Sequence, residues 1–499
     1  MQLGVDFGTT RTIVARADRG NYPVVAFADV DGDYHEHFPS LVALRDGEPV
    51  FGFAAEAAAR AGEPYLRSVK RVLGEPGVNA DTRVAVGGRH FPLLDLLAGL
   101  LRALHGELRE RSDVAGELGA GEALRAVVSV PAHAHGAQRF LTLEAFRLAG
   151  FDVAGVINEP SAAGFEYSHR QRRTLTSRRN QVLVYDLGGG TFDASVVEVT
   201  GTRHDVVASA GVNRLGGDDF DAVLAGLALA AAGSPDLGAA AEQALLEECR
   251  EAKERLSPQS KRISVEVAGE PVLVGVDDFY AAAAPLVQRS LEAMAPLVAA
   301  LPDELSLEPV AGVYLVGGGS GLPLVPRLLR ERFGRRVYRS PYPAASTAIG
   351  LAIAADAGSG FSLTDRLWRG FGVFRELDAG RAIGFDQLVD RDTALPARGE
   401  LMIRRRYQAA HNVGWYRFVE YTGVDAAGEP TGDLAPFAEV RFPFDPSLQG
   451  RYRLDGVAVE RRDHGPVVEE TYTVDGNGIV SVRITDTETH YSQVYALGR

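Results

Sequence analysis

One short pattern, a buried strand running into a glycine turn beside an aspartate, occurs twice in this chain and limits what it can fold into. The first copy is VDFGTTRT at residues 5–12 and the second is VYDLGGGTFD at 184–193; Asp186 and Gly188 stand 180 positions after Asp6 and Gly8. In both, an apolar run ends in an aspartate followed by glycine and threonine. Such a turn has no bulky side chain in the way, so its backbone N–H groups can close around an anion. Asp6, Asp186 and Asp193 repel a phosphate, but they can hold the divalent cation that travels with it, directly or through ordered water. Taken alone, the decapeptide also fits a hairpin turn with surface acids.

A second echo removes much of that ambiguity. Residues 127–165, VVSVPAHAHGAQRFLTLEAFRLAGF continuing to INEPSAAGF, are matched by residues 313–351, VYLVGGGSGLPLVPRLLRERFG continuing to SPYPAASTAIGL. Strand, turn, helix, second strand and Pro-initiated helix recur in that order. Paired lobes, each offering a glycine turn to one cleft, are suited to clamp a nucleotide triphosphate.

The motifs DFGTT, VPAHAHGAQR, INEPSAA, DLGGGTFD, RLGGDDFD and LVGGGSGLP stand here in the order found in the DnaK-type family of seventy-kilodalton heat-shock chaperones. The chain resembles that family from Leu3 to about Asp486. The resemblance implies an α/β actin-like ATPase domain of two duplicated ribonuclease-H-like lobes, followed by an all-β sandwich that binds extended peptides. The expected boundaries are 1–355 for the nucleotide-binding domain (lobes about 1–178 and 179–355), 356–370 for a linker and 371–499 for the sandwich.

The resemblance also implies ATP or ADP with Mg2+ as cofactors, and it assigns roles. Lys70, Glu159, Asp186, Thr191 and Asp193 take part in hydrolysis, with Lys70 reaching the γ-phosphate and the attacking water. Gly8, Thr9, Thr10, Gly188, Gly189, Gly190, Gly216, Gly217, Asp218, Gly317, Gly318 and Gly319 surround the nucleotide. Lys253 and Ser257, one helical turn apart and on one face, match positions that touch the adenosine. Asp6, Asp186 and Asp193 carry the metal.

Two of these residues can be argued from chemistry alone. Among 52 basic residues the lysines are Lys70, Lys253 and Lys261, so Lys70 invites a reason for not being arginine. A lysine is a compact point charge where a planar guanidinium would not fit, although a solvated lysine is equally compatible with its neighbours. Glu159 sits where a strand ends and Pro160 opens a helix, and such a carboxylate either orients water or caps the helix.

Several positions depart from the family pattern. Arg250 stands where glutamate is usual, and reads as a solvated helix residue. Gly321 replaces an arginine that stacks on adenine in many members; losing one such stack costs on the order of 1–2 kcal/mol, and restoring it should tighten ATP. Gly155 replaces an arginine typical of members that answer J-domain co-chaperones, and the stretch from Asp356 lacks the usual leucine run. A nucleotide-exchange factor or J-domain co-chaperone is therefore an expectation that these departures weaken.

Charge and composition exclude other classes. A net charge of −14 argues against a dedicated nucleic-acid binder, and RQRRTLTSRR at 170–179 reads as a solvated inter-lobe loop. The single cysteine, Cys249, reads as a packing residue and suits a reducing, cytoplasmic compartment. No apolar run reaches the ~20 residues of a membrane helix. Met1 leads almost at once into a core strand, and the chain stops at Arg499, so neither a signal nor a helical lid is expected. Without a cover, a sandwich-bound peptide should leave quickly.

The local expectations are a strand meander over 3–44 with an Asp31-Gly32 hairpin, a helical region over 225–300, and an all-β region over 371–490. The resulting function is a slow, Mg2+-dependent ATPase that couples nucleotide to unfolded or extended polypeptide. The alternative is a nucleotide-sensing scaffold with negligible turnover and one dedicated protein partner.

Overall fold

A computed structural model describes residues 1–119, 121–299, 309–451 and 453–499. Two compact units emerge: 1–71, 99–133 and 150–363 in one, and 72–98, 134–149 and 364–499 in the other.

The first unit holds two related sheets. One has five strands, ordered Asp152–Asn158, Arg125–Val130, Gln2–Phe7, Arg11–Arg16 and Phe38–Pro39. The other has six, ordered Val337–Arg339, Val310–Val316, Gln181–Leu187, Phe192–Thr200, Arg203–Val212 and Ser362–Thr364. Gln2–Phe7 pairs parallel with Arg125–Val130 and antiparallel with Arg11–Arg16; Gln181–Leu187 pairs parallel with Val310–Val316 and antiparallel with Phe192–Thr200. The sequence repeat is thus a repeat of topology, and Asp6 and Asp186 occupy the same place in the two sheets, one residue before the end of the corresponding strand.

The corresponding helices of the two halves, Glu159–Arg170 and Ser346–Ala355, pack on one another, but only the first is opened by a proline; Pro343 lies outside the second, whose N-cap is Ala345. Gly350 makes this possible, because a Cβ there would lie 1.8 Å from the carbonyl oxygen of Ala162. Behind the second sheet, Leu183, Tyr185, Phe192, Phe220, Leu224, Leu315 and the buried Cys249 share one core. Burial pushes the Cys249 thiol up to about 12, which is the behaviour of a packing residue.

Three local expectations need correction. The region 225–300 is not wholly helical: between helices Ala239–Glu254 and Val276–Ala299 lies a hairpin, Arg262–Val267 with Glu270–Gly275. The alternation in RISVEV and the positive φ of Ala268 and Gly269 specify it, and the Ala/Leu-rich surroundings mask that signal in the sequence. Residue 300 of that stretch lies outside the described residues. Glu159 is the first residue of its helix rather than the last of the strand, with Asn158 as N-cap. The stretch expected as a linker is structured in part, since Ser362–Thr364 joins the six-stranded sheet and Ser362 N–H donates to Thr202 O.

In the second unit, two four-stranded sheets face each other: Ala382–Val389, Gly370–Leu377, Val413–Tyr421, Ala435–Pro443, and Glu400–Gln408, Val467–Asp475, Val480–Asp486, Ser492–Ala496. Their inner faces supply Phe371, Val373, Phe418, Phe442, Val468, Val482 and Ile484. A fully buried carboxylate, Glu470, takes a 2.6 Å hydrogen bond from Arg375 and another from Tyr472 within that core. The same unit contains helix Gly136–Leu148, whose first amide donates to both Glu420 carboxylate oxygens at 2.9 and 3.1 Å. A carboxylate at a helix N-terminus is well placed against the helix dipole.

Candidate functional site

The two glycine turns open into one cleft of about 410 Å³, within the range of small-molecule sites. It is lined by Asp6, Gly8, Thr9, Thr10, Lys70, Glu159, Asp186, Gly188, Gly189, Thr191, Gly217, Asp218, Lys253 and Gly317 to Gly319 among others. Most of the residues singled out from the sequence therefore converge, although they come from widely separated parts of the chain.

Each turn closes on itself and leaves backbone donors unused. Gly8 N–H donates to Asp6 O and Gly188 N–H to Thr191 O, both at 3.0 Å. Among the described residues, the amides of Thr9, Thr10, Gly189 and Gly190 donate to no protein acceptor. Unused backbone donors at two facing turns form the kind of concavity that takes phosphate oxygens.

The third glycine turn has another task. Gly217 and Asp218 amides donate to the carbonyls of Gly188 and Gly189 at 2.9 and 2.8 Å, and Gly216 N–H is capped by Asp219. A Cβ on Gly216 would lie 2.5 Å from Gly189 backbone, so this turn braces the Gly188–Gly190 turn by close approach. Of the three residues expected around the nucleotide here, Gly216 does not line the cleft, whereas Gly217 and Asp218 line it with their amides already engaged. Gly190 and Asp193 also lie just behind the lining, Gly190 against Thr9 and Asp193 only 3% exposed.

At the base of the cleft Lys70, in the 3-10 helix Val69–Gly74, donates to Glu159 Oε1 at 2.8 Å. Both are buried, which excludes the solvated-lysine reading and gives Glu159 an ionic partner rather than a capping role. Burial acts to lower the Lys70 pKa, but Glu159, Asp6 and Asp193 together outweigh it and hold the ammonium charged.

The acids respond in the opposite sense. Asp6 is raised to about 7 by burial and then by Glu159, with Lys70 and the Ser129 hydroxyl opposing. Burial and Glu159 raise Asp193 to about 8; Asp186 is raised by burial and by all three neighbouring carboxylates. Four carboxylates thus share one ammonium, and Asp193 Oδ1 is buried without a hydrogen-bond partner. That excess of negative charge and the orphaned oxygen fit a divalent cation, whose charge would reverse these shifts. Among the described residues no three His, Cys, Asp or Glu side chains converge closely enough to chelate an ion, so the fit is to a hydrated cation held through its water.

The wall beyond Gly188 is formed by Gly317 to Gly319, Gly321, Leu322, Arg339, Pro343 and Ala344. Gly317 has φ +80, and a Cβ there would lie 2.4 Å from Asp186 Oδ1. Opposite, Lys253 lines the cleft but is held by Asp221 at 2.6 Å and by Gly217 O at 2.7 Å. Ser257 is not beside it: the helix ends at Glu254, Ser257 precedes Pro258, is exposed, and bonds to Ser260. A residue before proline is pushed out of helical conformation, which is why the one-turn spacing fails. Arg250 is 13% exposed and paired with Glu247, not solvated, and it lines the cleft.

Sequence reasoning missed Arg11, Asp221 and Arg339. Arg11 follows the first threonine pair and bonds Glu254 at 2.6 Å; its adjacency to DFGTT was the available signal. Arg339 carries no local signal, because the fold brings it to the wall from a separate strand.

The family model described as "Hsp70 protein" matches residues 80–368. Among similar proteins, a "Chaperone protein HscA homolog" of Pseudomonas putida is 35% identical over 376 residues, 72% of this chain and 58% of that protein. Homologs of the same description from Pseudomonas fluorescens and Pseudomonas aeruginosa are 34% and 35% identical over 377 and 381 residues. The chain spans about 58% of the length of the relatives it matches.

Proposed function

The chain belongs to the Hsp70 family, and from that premise we propose that it binds and hydrolyses ATP in the cleft and couples nucleotide state to binding of unfolded or extended polypeptide. The observation that carries the proposal is the pair of facing glycine turns, with unused amides, around the buried Lys70–Glu159 pair and its cluster of aspartates.

In this reading the amides of Thr9, Thr10 and Gly189 hold phosphate oxygens, and Thr191 fixes the γ-phosphate. The oxygen of a water forms the new bond to the γ-phosphorus as the bond to the β–γ bridging oxygen breaks. Glu159 orients that water, and Lys70, kept charged and fixed by Glu159, stabilises charge developing on the γ-phosphoryl oxygens. Mg2+ held through water by Asp6, Asp186 and Asp193 would neutralise the phosphates. Phosphoryl transfer asks little covalent chemistry of the protein, so positioning and electrostatics do most of it. The nucleotide belongs to region 1–355 and the polypeptide to the sandwich of 371–499, where a chain adds along a strand edge.

A nucleotide-exchange factor or J-domain partner belongs to the same reading; Gly155, where a side chain would meet only open space, does not obstruct one. No helix among the described residues is long and apolar enough to cross a membrane, and the single buried cysteine suits cytoplasmic conditions.

One observation favours the scaffold alternative: with Lys253 engaged and Ser257 displaced, fewer side chains face the adenosine than the sequence promises. ATP turnover with and without an unfolded polypeptide, compared with an Asp186→Asn variant, decides between them. Phosphate release equal in the two proteins would leave the scaffold.

A further inference from the structure

The wall that leads away from the phosphate turns ends at a guanidinium. A Cβ on Gly319 would lie 3.0 Å from Gly188 O, so Gly319 abuts the second phosphate turn, and Gly321 follows two residues further along the same wall. A Cβ on Gly321 would lie 3.3 Å from Arg339 Nη2. Arg339 ends the short strand Val337–Arg339, is exposed, and lines the cleft. Its backbone pairs with Leu315 in the sheet, but among the described residues its side chain makes no hydrogen bond, ion pair or ring contact.

The surroundings are those of a slot for a flat group. Pro343 and Ala344 line it, and Gly317 N–H donates to Pro343 O at 2.8 Å, tying the segment after Arg339 to the glycine wall. The other basic side chains that line the cleft nearby are already engaged: Arg250 with Glu247, Arg11 with Glu254 and Lys253 with Asp221. A free, planar, weakly hydrated guanidinium beside an apolar lip is chemistry for stacking on a π-face.

Resting on the nucleotide-binding reading, we propose that Arg339 stacks on the nucleobase, taking the space left by the missing side chain at Gly321. The absence of an arginine at 321 then does not weaken base binding, because the guanidinium arrives from a neighbouring strand. The contact acts on the base and not on the phosphates, which are held by the glycine turns.

Calorimetry with the full chain tests this, titrating ADP and inorganic pyrophosphate, each with Mg2+, into wild type, Arg339→Ala and Arg339→Lys. Loss of a cation–π stack predicts ADP weakened roughly five- to thirtyfold in Arg339→Ala, with pyrophosphate unchanged. Arg339→Lys, which keeps the charge and loses the planar face, should recover less than half of that loss on a logarithmic scale. Unchanged pyrophosphate binding also shows that the variant is folded. Equal weakening of both ligands would overturn the inference by making Arg339 a general anion attractor, and no weakening of either would overturn it outright. Wild type that binds neither ligand would sink the nucleotide reading itself, and this inference with it.

Discussion

Lys70 Nζ donates to Glu159 Oε1 at 2.8 Å, and both groups are buried, one from a 3-10 helix and the other from the first position of an α-helix 89 residues later. The pair places a fixed positive charge and a fixed carboxylate side by side at the bottom of the cleft. Removing one partner is therefore expected to cost differently in catalysis, binding and stability.

Lys70→Ala should lower single-turnover ATP hydrolysis by roughly 10²–10³-fold, the range for loss of one transition-state donor, while ADP affinity changes little. Unpairing Glu159 should also destabilise the protein by about 3–5 kcal/mol, read from denaturant melts. Lys70→Arg should fail nearly as badly in turnover. A tenfold loss of ADP affinity would instead make Lys70 a ground-state binding residue.

Adjacent glycines give a paired test of the wall. Gly317→Ala puts a methyl at φ +80 and against Asp186 Oδ1, and should cost about 1–3 kcal/mol and impair Mg2+-dependent nucleotide binding. Gly318→Ala meets open space and should be close to neutral in both measurements. Equal effects would show that the wall is soft.

Thermal melting without nucleotide should respond to pH and Mg2+ together. Asp6 and Asp193 rise from 3.8 to about 7 and about 8 on folding, so their contribution to stability is complete below about pH 4 and is lost as pH rises through those values. His37 and His204, held at about 3 and about 4, act in the opposite direction, but their effect is complete by about 6.5. Between about pH 6.5 and 8, Tm should fall in the absence of Mg2+, and added Mg2+ should raise Tm more at pH 8 than at pH 6.5. A Tm that climbs through this window without metal would contradict the buried-acid assignment.

Gly321→Arg should now tighten ADP by no more than about twofold, because the new guanidinium must share the space of Arg339. In an Arg339→Ala background the same substitution should restore most of the lost affinity. Additive gains in the two backgrounds would show that positions 321 and 339 serve different parts of the ligand.

The sequence by itself determined the duplication, the two glycine turns and the acid cluster. These are encoded locally: an apolar strand, an aspartate and small residues behave the same way wherever they occur, and their repetition 180 positions apart carried the two-lobed topology. It also carried the sandwich through period-2 alternation, as in VEETYTVD, whose burial alternates residue by residue. Tertiary structure decided what depends on which distant groups meet. Only packing shows that Gly216 and Gly217 brace the turn of Gly188 and Gly189, that Lys253 is taken by Asp221, and that the buried Lys70 finds Glu159. Ser257 was misplaced because helical spacing assumes a helix that Pro258 does not allow to continue. Arg339 was illegible because no pattern within a strand of three residues says which glycine, on another element, it will stand beside.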